Sequence, residues 1–346
     1  MNVKILNKSN KFYYINIWIC CVISSLILLI LIGGITRLTD SGLSITEWKP
    51  ISGFLLPFSQ VAWELEFSKY KLIPEFSAVN STMILSEFKI IYMWEWGHRF
   101  FARIVGFIFL FPFIFFIIKR KFNTKHLLSL SLAFFLGILQ AFVGWYMVQS
   151  GLNQGVDVSQ YRLALHLAIP FLIIAILVFF LLQLNDKPRE IQSGQRHLKL
   201  IGFLILILIY LQIILGAFVS GIKAGLSYNT WPLMSGKIIP KGLFVIEKWY
   251  LNFFENPLTV QFDHRMLGYS IFLIVFLNWY YLFLRYRKTV IERSALLLFL
   301  FITLQVMVGI FVLLFNVPLL LASIHQCGAI IIFIIALRHA YLMSSY

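Results

Sequence analysis

Apolar residues are gathered into eight long runs, each close to the ~20 residues that an α-helix needs to cross a bilayer. Shorter polar and charged segments separate them. The runs lie at 14–35, 99–118, 127–149, 163–184, 198–220, 265–284, 294–316 and 319–341. The pattern predicts an all-α integral membrane protein with eight transmembrane helices.

Composition agrees with a membrane protein. Hydrophobic residues make up 60% of the 346 residues and charged residues only 12%, whereas about a quarter of a soluble domain is charged. The formal charge of +15 could indicate nucleic-acid binding. In a membrane protein such a charge is typical of basic cytoplasmic loops instead, so we expect no nucleic-acid partner.

Basic residues concentrate in alternate connections, whereas the other connections are long or acidic. Because basic loops remain in the cytoplasm, both termini are predicted to be cytoplasmic and the loops at 36–98 and 221–264 to lie outside. The first run is long for a signal peptide and follows no Arg-rich transit sequence, which favours a bacterial inner membrane. The basic residues are Lys4, Lys8, Lys11, Lys119, Arg120, Lys121, Lys125, Lys187, Arg189, Arg196, Lys199, Arg285, Arg287, Lys288 and Arg293.

Short motifs recur in the same order in the two halves of the chain. This ordered repeat predicts two tandem four-helix bundles inserted in the same direction, at 1–186 and 187–346. The matching pairs are Gly33 with Gly216, Gly42-Leu43-Ser44 with Gly225-Leu226-Ser227, Trp48 with Trp231, His98-Arg99 with His264-Arg265, Gln140 with Gln305, Gly144 with Gly309, and His166 with His325.

Four histidines, His98, His166, His264 and His325, occupy equivalent places in the two halves, near the outer ends of their helices. An ionisable side chain inside a bilayer is costly and normally serves a function. Two histidines from facing helices of a four-helix bundle commonly hold a haem iron. We therefore predict one haem site in each half. Zinc or copper is disfavoured, because no carboxylate or thiol cluster completes either site.

The remaining histidines, His126, His197 and His339, lie near the predicted cytoplasmic edges. We expect them to be solvated or to lie at the lipid interface.

The two halves differ three residues before their first histidine, where Glu95 precedes His98 and Gln261 precedes His264. In a helix this spacing places Glu95 on the face of the histidine. A titratable group beside only one iron site predicts a reaction site in the first half and an electron relay in the second. An interfacial glutamate that caps the helix start is an equal alternative.

Arginines follow two of the predicted ligands directly. Arg99 and Arg265 are candidates for binding anionic haem propionates, since the guanidinium group matches a carboxylate. Arg103 and Arg162 lie at the same level. For Arg162, contact with lipid phosphate is an equally good interpretation.

Five stretches in the outer loops and around the histidines carry a more specific pattern. They are 33–50, 66–76, 94–99, 225–234 and 260–265. These stretches resemble the haem A synthase family, in the form found in alphaproteobacteria and mitochondria. One difference is clear: some bacterial relatives carry cysteine pairs in the outer loops, and this chain has none there.

The resemblance implies oxidation of the C8 methyl group of haem O to a formyl group, which gives haem A for terminal oxidases. It implies that His98 and His166 face the substrate iron, that His264 and His325 ligate a haem B cofactor, and that Glu95 is the acidic residue near the substrate. It also implies supply of haem O by a haem O synthase. The electron acceptor is open, and the sequence is compatible with a homo-oligomer without fixing the oligomeric state.

Two other functions stay open on the residues alone. A di-haem membrane cytochrome that only transfers electrons would explain the paired histidines, but neither the single Glu95 nor the elaborate outer loops. A non-catalytic haem carrier would be expected to contain inverted repeats and helices broken at mid-membrane, whereas these repeats are parallel.

Overall fold

A computed structural model describes residues 12–49, 52–185 and 196–345. These residues form α-helices and three short 3₁₀ helices, and none of them forms a β-strand. The α-helices are α1 (Tyr13–Leu38), α2 (Gln60–Tyr70), α3 (Pro74–Ala78), α4 (Leu85–Ile118), α5 (Thr124–Gln154), α6 (Gln160–Asn185), α7 (Arg196–Gly221), α8 (Asn252–Glu255), α9 (Pro257–Arg285), α10 (Val290–Leu314) and α11 (Leu319–Ser344).

Eight helices in the described part of the chain are long and apolar enough to cross a membrane. They are α1, α4, α5, α6, α7, α9, α10 and α11. Each corresponds to one predicted apolar run, so the prediction of an all-α, multi-pass membrane protein is confirmed.

Two of these helices begin well before the apolar runs that predicted them. α4 begins at Leu85 and α9 at Pro257, so the loops predicted at 36–98 and 221–264 are shorter than expected. These added turns contain charged and polar residues, which lower the local hydropathy. A search for apolar runs therefore missed them. The predicted ligands therefore lie within their helices rather than at the first residue.

Packing against the loop stabilises the added turns of α4. Phe88 is fully buried, and its ring centroid lies 5.0 Å from that of Phe67 and 5.2 Å from that of Tyr70, both on α2. Tyr92, one turn further along, belongs to the same buried cluster. The loop helices thus bury the apolar face of an otherwise polar helical segment.

The membrane-spanning helices pack in sequence-local groups. α1, α4, α5 and α6 contact one another in a closed cycle, and α7, α9, α10 and α11 do the same. α6 and α11 pack together at the centre, where α1 contacts α11 and α6 contacts α7. The predicted boundary between 1–186 and 187–346 lies outside the described residues, as do Lys4, Lys8, Lys11, Lys187 and Arg189.

Polar contacts join the two groups at the ends of the helices that lead into the long loops. Arg37, at the end of α1, donates hydrogen bonds to the carbonyls of Ser220 and Gly221, at 3.1 and 3.2 Å. The next turn carries an ion pair between Asp40 and Lys223, with Nζ and Oδ1 3.1 Å apart. These contacts fix the end of α1 against the end of α7.

Candidate functional site

Each of the four repeated histidines packs against a glycine on another membrane-spanning helix of its own half. At Gly33, Gly144 and Gly309 a side chain would collide with the imidazole ring, so the backbone approaches the ring as closely as only glycine allows; at Gly216 the contact is tight but could be relieved by a small shift. The distances from an added Cβ atom to the histidine Cε1 are 2.9 Å for Gly33 and His98, 2.7 Å for Gly144 and His166, 3.3 Å for Gly216 and His264, and 2.9 Å for Gly309 and His325.

A glutamine one helical turn before the glycine anchors three of the four histidines. Its Nε2 donates a hydrogen bond to the backbone carbonyl of the histidine, which links the two helices at the level of the imidazole. The distances are 2.8 Å from Gln140 to His166, 2.9 Å from Gln212 to His264, and 2.8 Å from Gln305 to His325.

His98 lies near His166, and His325 lies near His264; that each pair shares one iron stays a prediction. All four side chains are partly accessible rather than sealed in the core. Nδ1 of His98 and Nδ1 of His325 are buried without a hydrogen-bond partner among the described residues.

The donor set suits an iron porphyrin. Among the described residues, no group of three or more histidine, cysteine, aspartate or glutamate side chains could enclose a metal ion. A pair of imidazoles offers only two ligands, and a porphyrin ring supplies the four equatorial nitrogens that the protein does not. The residues therefore fit haem better than zinc or copper, and haem occupancy itself stays a prediction.

Glu95 is 3% exposed and fully engaged in hydrogen bonds. Its Oε2 accepts from the hydroxyl of Ser44 at 2.7 Å and from the backbone N–H of Ile45 at 2.8 Å, while Oε1 accepts from Arg99 at 2.6 Å. Arg99 also donates to the carbonyls of Ile45 and Glu47. The Glu95–Arg99 pair therefore binds the segment that follows α1 to the side of α4.

The second half repeats this clamp without the charge on the acceptor. Arg265 donates to the carbonyls of Tyr228 and Thr230, both at 3.0 Å, and to Oε1 of Gln261 at 2.9 Å. Gln261 donates in turn to the carbonyl of Ala224. The two clamps differ in direction: the amide of Gln261 accepts from its arginine and donates to a loop carbonyl, whereas both carboxylate oxygens of Glu95 accept.

Most of the N–H donors of Arg99 and Arg265 therefore bind carbonyls of the loops. The sequence did not predict this role for either arginine. Arg265 retains a buried Nε without a partner among the described residues. Arg162 stacks on the ring of Tyr146, with its Cζ 3.6 Å from the ring centroid, and donates to the Tyr146 carbonyl. Contact of these arginines with haem propionates stays a prediction.

His339 is not the solvated or interfacial residue that its position near the end of the chain suggested. It is fully buried. Its Nε2 lies 3.1 Å from Nδ2 of Asn278, and its Nδ1 lies 3.1 Å from Oγ of Ser294. In the sequence, the only indication was that Asn278 and Ser294 are polar residues within apolar runs. The packing of α9, α10 and α11 is what brings them next to His339.

Glu75 is a second buried polar residue that the sequence did not identify, although it lies in the 66–76 stretch. It is 5% exposed, and its Oε2 has no partner among the described residues. Burial raises the pKa of this carboxyl to about 8, and the nearby carboxylates of Asp40, Glu95 and Asp157 add to the shift. Glu75 is therefore largely protonated near neutral pH.

Comparison with known proteins places this geometry in a family. A family model described as cytochrome oxidase assembly protein matches residues 16–337. The chain is 46% identical to the heme A synthase of Rhizobium rhizogenes over 92% of its length and 87% of the relative's. It is 45% identical to the heme A synthase of Parvibaculum lavamentivorans, over 94% of this chain and 92% of the relative.

Proposed function

Because the chain belongs to the haem A synthase family, we propose that it oxidises the C8 methyl group of haem O to a formyl group with the help of a resident haem B. It is thus an oxidoreductase acting on a CH₃ group, and its product, haem A, serves terminal oxidases. The observation that carries the proposal is the repeated glycine–histidine arrangement, with Glu95 three residues before His98 where the second half has Gln261 before His264.

The two pairs take different roles. His98 and His166 hold the iron of haem O in the first half, where Glu95 is available. His264 and His325 ligate haem B in the second half, where the equivalent residue is the neutral Gln261. Each pair could hold a haem iron, because each of its imidazoles is packed against a glycine on a neighbouring helix.

Bound haem iron supplies the oxidising power that attack on an unactivated methyl group requires and that amino-acid side chains lack. The protein fixes the substrate ring and handles the protons. With water as the source of the formyl oxygen, conversion of the methyl group to the alcohol and then to the aldehyde releases four electrons and four protons. A membrane electron acceptor receives the electrons, and Glu95 takes or relays the protons. Ser44 and Arg99 hold its carboxylate in place.

Replacement of Glu95 by glutamine removes the charge and keeps part of the clamp. The amide oxygen can still accept from Arg99, as that of Gln261 accepts from Arg265, but the amide nitrogen cannot accept from the backbone N–H of Ile45. Because Arg99 still donates to the carbonyls of Ile45 and Glu47, Glu95→Gln should retain bound haem. Conversion of haem O should fall by about 10²–10⁴-fold, the usual contribution of a general acid or base. The measurement is the mass of every haem extracted from cells that produce haem O.

The matched control is Gln261→Glu, which places a carboxylate at the equivalent site. It loses the hydrogen bond to the carbonyl of Ala224 and should be less stable, but its conversion per folded protein should be unchanged. Unchanged conversion in Glu95→Gln would remove the proton role from Glu95. Extraction of haem B alone from the wild-type protein, with haem O supplied, would instead indicate the electron-transferring cytochrome.

We also propose that the protein lies in a bacterial inner membrane with both termini in the cytoplasm. The support is charge: the α4–α5 and α9–α10 connections carry Lys119, Arg120 and Lys121, and Arg287 and Lys288, at the ends opposite the long loops. A haem O synthase supplies the substrate and a membrane electron acceptor receives the electrons; both are partners of this proposal.

A further inference from the structure

One position breaks the fourfold pattern of glutamine and glycine. Gln140, Gln212 and Gln305 each lie four residues before the glycine that contacts a histidine, whereas Leu29 lies four residues before Gly33. Leu29 is partly buried against the apolar core and has no side-chain donor. His98 is therefore the one repeated histidine whose backbone carbonyl receives no glutamine hydrogen bond among the described contacts.

The two histidines of the first half also differ in what lies beside their rings. Nε2 of Gln140, which donates to the backbone carbonyl of His166, also lies 3.0 Å from Nδ1 of that ring. Nδ1 of His98 has no partner among the described residues, and the same holds for Nδ1 of His325 in the second half. What sets His98 apart from the other three histidines is therefore the missing glutamine at its backbone carbonyl.

The hydrogen bonds that join α1 to α4 lie away from the level of His98. Nε1 of Trp18 donates to the carbonyl of Ile108 at 2.8 Å, and Oγ1 of Thr36 lies 3.4 Å from the carbonyl of Trp94. Next to Leu29, the carbonyl of Ile30 accepts from a glutamine of α11 instead, at 2.9 Å. Beside His98, α1 and α4 therefore meet through the close contact of Gly33 with the imidazole ring, and not through a hydrogen bond between described residues.

We propose that Leu29 is a positioning residue that leaves His98 as the exchangeable iron ligand, so that haem enters and leaves the first half, while Gln212 and Gln305 retain the haem of the second half. The inference rests on the proposed function, in which a substrate haem must arrive and a product haem must depart on every cycle. A resident cofactor has no such need. The positions of the glutamines agree with this assignment. In the second half both histidines have a glutamine at their backbone carbonyl, whereas in the first half only His166 has one.

A reciprocal exchange of side chains tests the role of Leu29. In the full-length protein, Leu29→Gln should slow haem release from the first half, and Gln212→Leu should speed release from the second half. Loss of a second-shell partner typically changes metal affinity by about 10–100-fold, and we expect release rates to change by about that factor. The measurement is transfer of each haem to excess apomyoglobin, with the haem identified by mass.

Leu29→Met is the matched control, because methionine has the length of glutamine without its hydrogen-bond donor. It should release haem at the wild-type rate. Leu29→Gln should also raise the fraction of haem A that co-purifies with the protein, and its optical spectrum should show a more uniform two-histidine iron. If Leu29→Gln impairs folding, Gln212→Leu tests the same principle at the other site.

The outcomes separate this inference from the proposed function. Equal release rates in wild type, Leu29→Gln and Leu29→Met, with haem A still produced, would overturn the role of Leu29 and leave the function intact. Unchanged release of the second-half haem in Gln212→Leu would also overturn it. Failure of every form of the protein to hold haem O or haem A would overturn both proposals.

Discussion

At the scale of single residues, four glycines decide where the repeated histidines lie. Each glycine lets an imidazole rest on the backbone of a neighbouring helix, so that its side chain reaches the centre of its half. The contact is tightest at Gly144, where an added Cβ would lie 2.7 Å from the ring of His166, and loosest at Gly216, at 3.3 Å from the ring of His264. This difference predicts that alanine is tolerated better at Gly216 than at Gly144.

Gly144→Ala should displace the His166 ring, since real Cβ atoms do not approach a neighbour so closely, and haem bound to the first half should be lost. Gly216→Ala should cost much less, because a shift of a few tenths of an ångström relieves the contact. The measurement is haem content per protein, with each haem identified by mass. Gly137→Ala is the control, since a Cβ there meets nothing within 4 Å; equal haem loss in Gly137→Ala would contradict the interpretation.

At the scale of secondary-structure elements, the short helix α3 lies in the loop between α1 and α4 and contains a buried acidic residue, Glu75. Glu75 is enclosed between α3 and its neighbours, and its carboxyl is held largely neutral by burial and by nearby carboxylates. Its pKa of about 8 in the folded protein lies above the ordinary 4.5. The folded state therefore binds this proton more tightly than the unfolded state.

This shift makes the loop less stable at alkaline pH. A group whose folded-state pKa is raised contributes its full stabilisation below the unfolded pKa and loses it as pH rises through the folded pKa. The segment with α2 and α3 should therefore become more sensitive to protease as pH rises from about 5 to about 9. Glu75→Gln should remove most of that dependence, and a variant with the wild-type pH profile would show that another group titrates.

At the scale of the whole molecule, Arg37 holds the two groups of membrane helices together. Its side chain is 13% exposed and binds four acceptors: the carbonyls of Ser220 and Gly221, and the carboxylates of Asp40 and Asp157. Asp157 lies between α5 and α6, so a single guanidinium group joins three connections. The planar, forked donors of arginine suit such a junction.

Arg37→Met should lower the free energy of unfolding by about 1.5–3 kcal/mol, the usual worth of hydrogen bonds to a charged group. Lys223→Met is the control, because it removes only half-exposed ion pairs with Asp40 and Asp157 and should cost about 0.2–1 kcal/mol. Unfolding of the full chain in detergent measures both. Equal losses in the two variants would show that Arg37 acts only as a surface charge.

Much of the molecule was predictable from the sequence because the relevant signals are local. A run of apolar residues is sufficient to specify a helix that crosses a membrane, so all eight membrane-spanning helices were found. An ordered repeat identifies equivalent histidines without any coordinates. The comparison of Glu95 with Gln261 also needed only the alignment of one half with the other.

Other features were decided only by the tertiary structure. The first turns of α4 and α9 were missed because loop residues, rather than lipid, bury them. The hydrogen bonds of Glu95 join α4 to the loop after α1. The burial of His339 and the glutamine anchors join residues on different helices. All of these groups lie together only after the chain has packed. The sequence by itself therefore determined the helices, their order and the repeated histidines, because hydropathy and spacing are properties of the chain. Packing alone decided which polar group meets which, because each such contact depends on the position of two helices at once.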